Sequence, residues 1–226
     1  MAPGKTLRQE IYLRLQMPGL SWYAKAGQFY LPFGWRLQYS LAFVRQLSGI
    51  SMTVPDKGLE LGHESEHWSI QWVRSRGPGI AGGDQGHQTT AQVTGLHAFG
   101  RVGLGLARSR SPAGDRRVLG VFAGTQTGPV AWLAELNTVS DNGFPEAKRR
   151  QAAALLEGNW LLRQGHNLKL TGELLDPDRR VANDHKTRTC VIYEYTPYPV
   201  LQLRAGYRHF AGIPQNALDN RRQAFV

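Results

Sequence analysis

The residues best placed to do chemistry are His63-Glu64-Ser65-Glu66-His67, which match the H-E-x-x-H pattern of zinc hydrolases. That chemistry needs a helix, on which two histidines four apart meet one metal ion beside a glutamate base. Here the pentapeptide lies between the alternating segments Gly58–Gly62 and Trp68–Val73, and residues four apart on a strand are separated by roughly 13 Å. It reads as a solvated turn, and no metal site is expected. Gly77-Pro-Gly-Ile-Ala-Gly-Gly83 has the glycine density of a phosphate-cradling loop but lacks the following lysine and helix start. It reads as an external loop. Cys190 is the single cysteine, so the chain can form neither an intrachain disulfide nor a cysteine-rich metal site. No Cys-x-x-Cys-His is present for covalent haem, and serine, histidine and aspartate fall mostly in turns. No cofactor and no catalytic residues are expected, and the chain does not read as an enzyme.

The elements that would have to position any such residues come from the hydrophobic pattern. The chain has 226 residues, with 27 Lys+Arg against 17 Asp+Glu and a net charge of +10. Its longest uninterrupted apolar runs, Val130–Ala134 and Ala152–Leu156, are five residues long, whereas a membrane helix needs about 20. What recurs is strict alternation, the signature of strands with two unlike faces. Leu168, Leu170 and Leu174 oppose Asn167, Lys169, Thr171 and Glu173; Trp68, Ile70 and Trp72 oppose Ser69 and Gln71; Val102, Leu104 and Leu106 oppose Arg101, Gly103 and Gly105. Thirteen such runs are predicted, at 7–16, 21–31, 57–64, 67–75, 88–97, 100–109, 116–124, 128–138, 151–162, 165–175, 186–196, 199–209 and from 220. The segment Pro145–Trp160 contains good helix formers, but the rhythm of the next hairpin favours a loop followed by a strand from 151.

The connections alternate in length. Short ones are predicted at Met17–Gly19, Ser65–Glu66, Ala98–Phe99, Thr125–Thr127, Arg163–Gln164 and Pro197–Tyr198. Long ones are predicted at Pro32–Asp56, Arg76–His87, Arg110–Asp115, Val139–Arg150, Asp176–His185 and Phe210–Asp219. Long strands with tight turns on one rim and large loops on the other describe an all-β, antiparallel up-and-down transmembrane barrel of about 12–14 strands, with short periplasmic turns and long external loops. Residues 1–226 are read as one barrel domain. Because barrels usually hold an even number of strands, an ascending strand before residue 7 and the end of the last strand are expected to be missing.

Lys25-Ala-Gly-Gln-Phe-Tyr-Leu-Pro-Phe-Gly34 resembles an early strand of bacterial outer-membrane porin-like proteins. Leu168–Asp178 and Tyr195–Tyr207 are similar to their late hairpins. The resemblance implies a passive channel or scaffold in the bacterial outer membrane, with no catalytic residues.

Face assignment by alternation names the residues that would do the work. Arg101, Glu135, Glu157, Lys169, Glu173, Arg188, Arg204 and Arg208 are expected to line the pore. Arg8, Arg14, Lys25 and Arg117, with Glu10, Glu60, Glu64 and Glu194, complete a nearly balanced inner face, and the excess positive charge falls in loops and strand ends such as Arg45, Arg74, Arg110, Arg150 and Arg179. Trp22, Trp68, Trp72, Trp132, Trp160, Tyr193 and Tyr207 are expected to anchor the outer face at the bilayer interfaces. The first reading of function is diffusion of small hydrophilic solutes, anions among them. Its partners are the outer-membrane lipid bilayer and the solute, homo-oligomeric assembly is compatible with it, and no nucleic acid is expected. The alternatives are a barrel that sheathes a redox carrier and a soluble basic β-protein that binds nucleic acid.

Overall fold

A computed structural model describes residues 10–35, 41–77, 86–112, 114–143, 148–214 and 216–226. Residues 7–9 of the first predicted strand, Arg8 and most of the Gly77–Gly83 loop lie outside the described residues. Thirteen strands form one antiparallel sheet in sequential order: β1 (Ile11–Gln16), β2 (Trp22–Phe29), β3 (Asp56–Glu64), β4 (Trp68–Ser75), β5 (His87–His97), β6 (Gly100–Ser111), β7 (Gly114–Thr127), β8 (Val130–Asp141), β9 (Arg149–Arg163), β10 (His166–Asp176), β11 (Lys186–Tyr198), β12 (Leu201–Ala211) and β13 (Arg222–Phe225). β1 and β13 are the edges, with no ladder between them among the described residues. Among the described residues no helix is long and apolar enough to cross a membrane. The longer strands do reach across: a 12-residue strand such as β8 spans roughly 30 Å at the tilt of about 35–45° that barrels adopt.

The pleat separates the faces cleanly. One unbroken row of outward residues, Ile70, Val93, Leu104, Val121, Leu136 and Ala154, runs across β4–β9 in register, and its large members are all exposed. An apolar face left open over this many strands is stable only against lipid. The other face mixes buried polar residues, such as Glu60, Gln88, Thr90, Glu135 and Asn137, with a buried apolar patch.

The short turns occur on one rim, though three are shifted from the sequence expectation. The β7–β8 turn is Gly128-Pro129 rather than Thr125–Thr127, and the β9–β10 and β11–β12 turns are Gln164-Gly165 and Pro199-Val200. Gly128 and Gly165 carry positive φ (56° and 78°), which L-residues with a Cβ adopt at a cost. On the other rim, Arg110–Asp115 is not a long loop: β6 runs to Ser111 and β7 begins at Gly114. β6–β9 thus rise above the apolar band.

The largest departure concerns the predicted external loop Pro32–Asp56. Its described residues, 32–35 and 41–55, fold inward and include a short helix, α1 (Phe43–Ser48). Phe29, Leu31, Phe33, Phe43, Val44, Leu47 and Ile50 pack on inward-facing Val73, Ala107, Val118, Val139, Ala153 and Leu155 of β4 and β6–β9. A connection between β2 and β3 that touches strands this distant in the order requires the sheet to curve around it, so the protein's main apolar core lies inside the barrel wall.

Candidate functional site: the lumen and its inward segment

The inward segment is held by charge as well as by apolar contact. The first N–H groups of any helix lack an intrahelical partner and carry the positive end of the helix dipole. For α1, Glu173 on β10 fills that role, accepting from the Phe43 N–H at 2.7 Å. At the other end the carbonyl oxygens are in deficit, and Arg116 on β7 donates to the Leu47 and Ser48 oxygens. Midway, Arg45 pairs with Glu135 on β8, both fully buried. Glu135 also accepts from the Trp35 N–H (3.0 Å) and the Asn137 amide (2.9 Å), while that amide donates to the Val44 oxygen at 3.1 Å. An acid at one end, an arginine at the other and an ion pair between them match the helix to one side of the wall.

The floor beneath the segment is glycine. Gly105 lies opposite Gly120, and Gly103 opposite Phe122, on the inner faces of β6 and β7. A Cβ on Gly120 would lie 2.8 Å from Phe33 and 2.4 Å from the Asn137 oxygen; one on Gly124 would lie 2.6 Å from Trp35. Only bare backbone lets these two aromatic rings lie flat on the wall.

The residues expected to line the pore fall into two groups. Glu135, Glu173 and Arg188 are buried under the inward segment. Arg188 binds Glu173 at 2.6–2.9 Å and the Leu41 oxygen at 2.7 Å, with its guanidinium 4.4 Å from the Phe43 ring centre. Glu157, Lys169, Arg204 and Arg208 lie on inner faces away from those contacts, and Arg101 lies on the inner face of β6 at the margin of the segment. Lys169 pairs with Glu157 at 3.7 Å and Arg204 with Glu194 at 2.6 Å. Arg101 lies 5.8 Å from the Trp35 ring centre, and Arg208 lies 5.1 Å from Phe225. A third cluster, which the motif reading did not single out, joins Lys25, Glu60, Tyr23 and Gln71 on β2–β4.

Two basic residues are not where alternation put them. Arg45 is inside the lumen instead of in an external loop. Arg117 shares the outer face with Leu119 and Val121, not the inner face. The alternation misleads there because Val118 and Phe122 are apolar on the inner side too, where they pack under the inward segment.

Trp22, Trp68, Trp72, Trp132, Trp160, Tyr193 and Tyr207 are all outward and 40–46% exposed. Trp22, Trp68, Trp132 and Trp160 all lie within four residues of a short turn. The ring of Trp132 lies across Gly158, where a Cβ would approach it to 2.8 Å. His63 stacks on Trp68 with ring centres 4.5 Å apart, so the H-E-x-x-H segment runs through a strand end and turn rather than a helix.

In the β10–β11 loop, Arg180 donates to Asp178 at 2.9–3.1 Å and holds that carboxyl below its usual range. A carboxyl depressed in the folded state stabilises above its unfolded value and loses that contribution as pH falls through the folded one. Acidification into and below the normal aspartate range is therefore expected to lower the exchange protection, relative to the intrinsic rate at each pH, of the Arg180 N–H, which bonds the Asp178 carboxylate, and of the Val181 N–H, which bonds its backbone oxygen. Protection that does not change over that interval would refute the link.

No protein-family model matches the chain, and no curated protein does. Among solved structures it is similar to the outer-membrane expressed OmpT of Vibrio cholerae, with a TM-score of 0.66 and 10% identity over 90% of this chain and 70% of that one. At that identity the likeness is one of fold: an antiparallel outer-membrane β-barrel.

Proposed function

We propose that the chain is a porin-like channel of the bacterial outer membrane, passing small hydrophilic solutes by diffusion with a preference for anions and performing no chemistry. The observation that carries this reading is the inward segment, clamped to one side of the wall and leaving charged side chains on the rest of the lumen. The exposure of those charges is unequal. Lys169 is 27% exposed against 12% for its partner Glu157, and Arg204 51% against 13% for Glu194. At these two pairs the acid sits back in the wall and the cation reaches forward, so a solute passing them would meet more positive charge than the count suggests. Rings of charge in a pore select ions in this way. The short-turn rim would face the periplasm and the longer connections the exterior, with lipid against the outward Leu and Trp side chains.

The sheath reading has less support, because the inward segment occupies space a docked carrier would need. The outward apolar band likewise favours lipid over a soluble nucleic-acid-binding role.

Reconstituted in planar bilayers, the protein is expected to give discrete conductance steps and a reversal potential displaced toward chloride in a KCl gradient. The double variant Lys169→Gln/Arg204→Gln should lower the chloride-to-potassium permeability ratio by about twofold or more. An absence of steps sinks the channel, and an unchanged ratio sinks the proposed selectivity.

A further inference from the structure

The two rims of the outer face differ in chemistry. Four of the five outward tryptophans among the described residues gather near the short turns. Toward the other rim, register places Arg74, Thr89, Arg108, Arg117, Ser140 and Arg150 side by side in one row across β4–β9. Adjacent strands are about 4.8 Å apart, so Arg108 and Arg117 are direct neighbours. The row immediately below it in register contains Trp72, Leu106 and Leu119. Arg110 lies two residues beyond Arg108, and Arg179 joins from the β10–β11 loop, tied by its N–H to the Arg150 oxygen at 2.8 Å. All six arginines line one concavity of about 760 Å³, floored by Leu106 and Leu119.

Like charges set opposite one another on adjacent strands are destabilising, and the compensation here is small. Asp115 bridges Arg108 and Arg117 at 2.7 and 3.2 Å, and Arg74 donates to Thr89 at 2.8 Å. Among the described residues no carboxylate lies within ion-pair distance of the Arg110, Arg150 or Arg179 guanidiniums, and Arg179 has only a longer-range attraction to Asp176. A concave surface with guanidiniums along its upper edge and leucines along its lower one matches an anionic amphiphile. It does not match a free solute.

We propose that this concavity binds a phosphorylated lipid of the leaflet around the long-connection rim, its phosphates held by the arginine row and its acyl chains lying on Leu106, Leu119 and the apolar band beneath. Guanidinium and phosphate pair through two parallel hydrogen bonds, and basic sites at membrane depth recognise lipid headgroups by that chemistry. The site faces lipid, not the lumen, and so stands whether or not the lumen conducts.

The test uses the full chain folded in detergent micelles, titrated with diphosphoryl lipid A, phosphatidylcholine or sodium pyrophosphate and read by native mass spectrometry. Diphosphoryl lipid A is expected to bind about tenfold or more tighter than phosphatidylcholine. The triple variant Arg110→Gln/Arg150→Gln/Arg179→Gln should remove that difference, whereas Arg163→Gln, at the opposite rim, should retain it. Arg150→Gln alone should weaken binding severalfold and serves if the triple variant does not fold. Equal binding of the two lipids, or an Arg150→Gln variant that binds as the parent does, overturns the proposal. Pyrophosphate binding as tight as lipid A overturns it too, since the acyl chains would then contribute nothing.

Discussion

Replacing Glu135 with Leu is expected to lower the stability of the folded barrel by about 3–5 kcal/mol, the usual cost of leaving one member of a buried ion pair alone, and to raise single-channel conductance. Three donors converge on that carboxylate: the Arg45 guanidinium, the Trp35 N–H and the Asn137 amide. Removing it leaves an uncompensated cation and a backbone donor buried against glycine and aromatic rings, an arrangement relieved only if the inward segment leaves the wall. Arg45→Met should cost less, because Glu135 keeps two of its three donors. The double variant Arg45→Met/Glu135→Leu should recover much of the loss, since replacing a whole buried pair with apolar groups of similar volume is often neutral or better. Urea midpoints in micelles and conductance in bilayers test both statements. If Glu135→Leu unfolds at the parent midpoint with parental conductance, the pair does not hold the segment.

That pair was out of reach of sequence reasoning, while the wall around it was not. Period-two alternation located all thirteen strands, because a strand with lipid on one side and a polar interior on the other must alternate at every residue. Strand ends were less legible: β6 and β7 continue past the apolar band, where lipid no longer enforces the pattern and Arg108, Arg110 and Arg117 take the outward positions. The inward fold of residues 30–35 and 41–55 escapes the pattern for a related reason. Its apolar residues Leu31, Phe33, Phe43, Val44, Leu47 and Ile50 follow no single period, since an irregular chain and one short helix present them. The available signal was their number, which is too large for a segment bathed in water. A second signal was the glycines at Gly103, Gly105, Gly120 and Gly124, all on inner faces at positions that polar side chains would otherwise fill. The same alternation puts the residues expected to line the pore on the inner face. Which of them would be covered depended on the inward segment, and a one-dimensional pattern contains no information about that contact.

The contact between Phe33 and Gly120 allows the packing of the segment to be tested apart from its charges. Phe33 is 2% exposed, its ring lying over Gly105 and Gly120. Phe33→Ala should cost about 3–5 kcal/mol, as burial of a phenyl ring is lost and a void remains. Gly120→Val attacks the same contact from the wall: its Cβ would lie 2.8 Å from Phe33 and 2.4 Å from the Asn137 oxygen, overpacking that costs about 1–3 kcal/mol. Both changes loosen the segment, so both should raise conductance and expose it to protease. Combined, they should cost less than their sum, because the valine enters the space the phenyl ring vacates and residues in contact do not behave independently. The same pair made at a distance, with Gly158→Val in place of Gly120→Val, should be additive, since Gly158 abuts the outward ring of Trp132 on the lipid side of the wall. Additive costs for Phe33→Ala with Gly120→Val would mean that ring and glycine are not in contact, and the segment would then have to be held by its ion pairs alone.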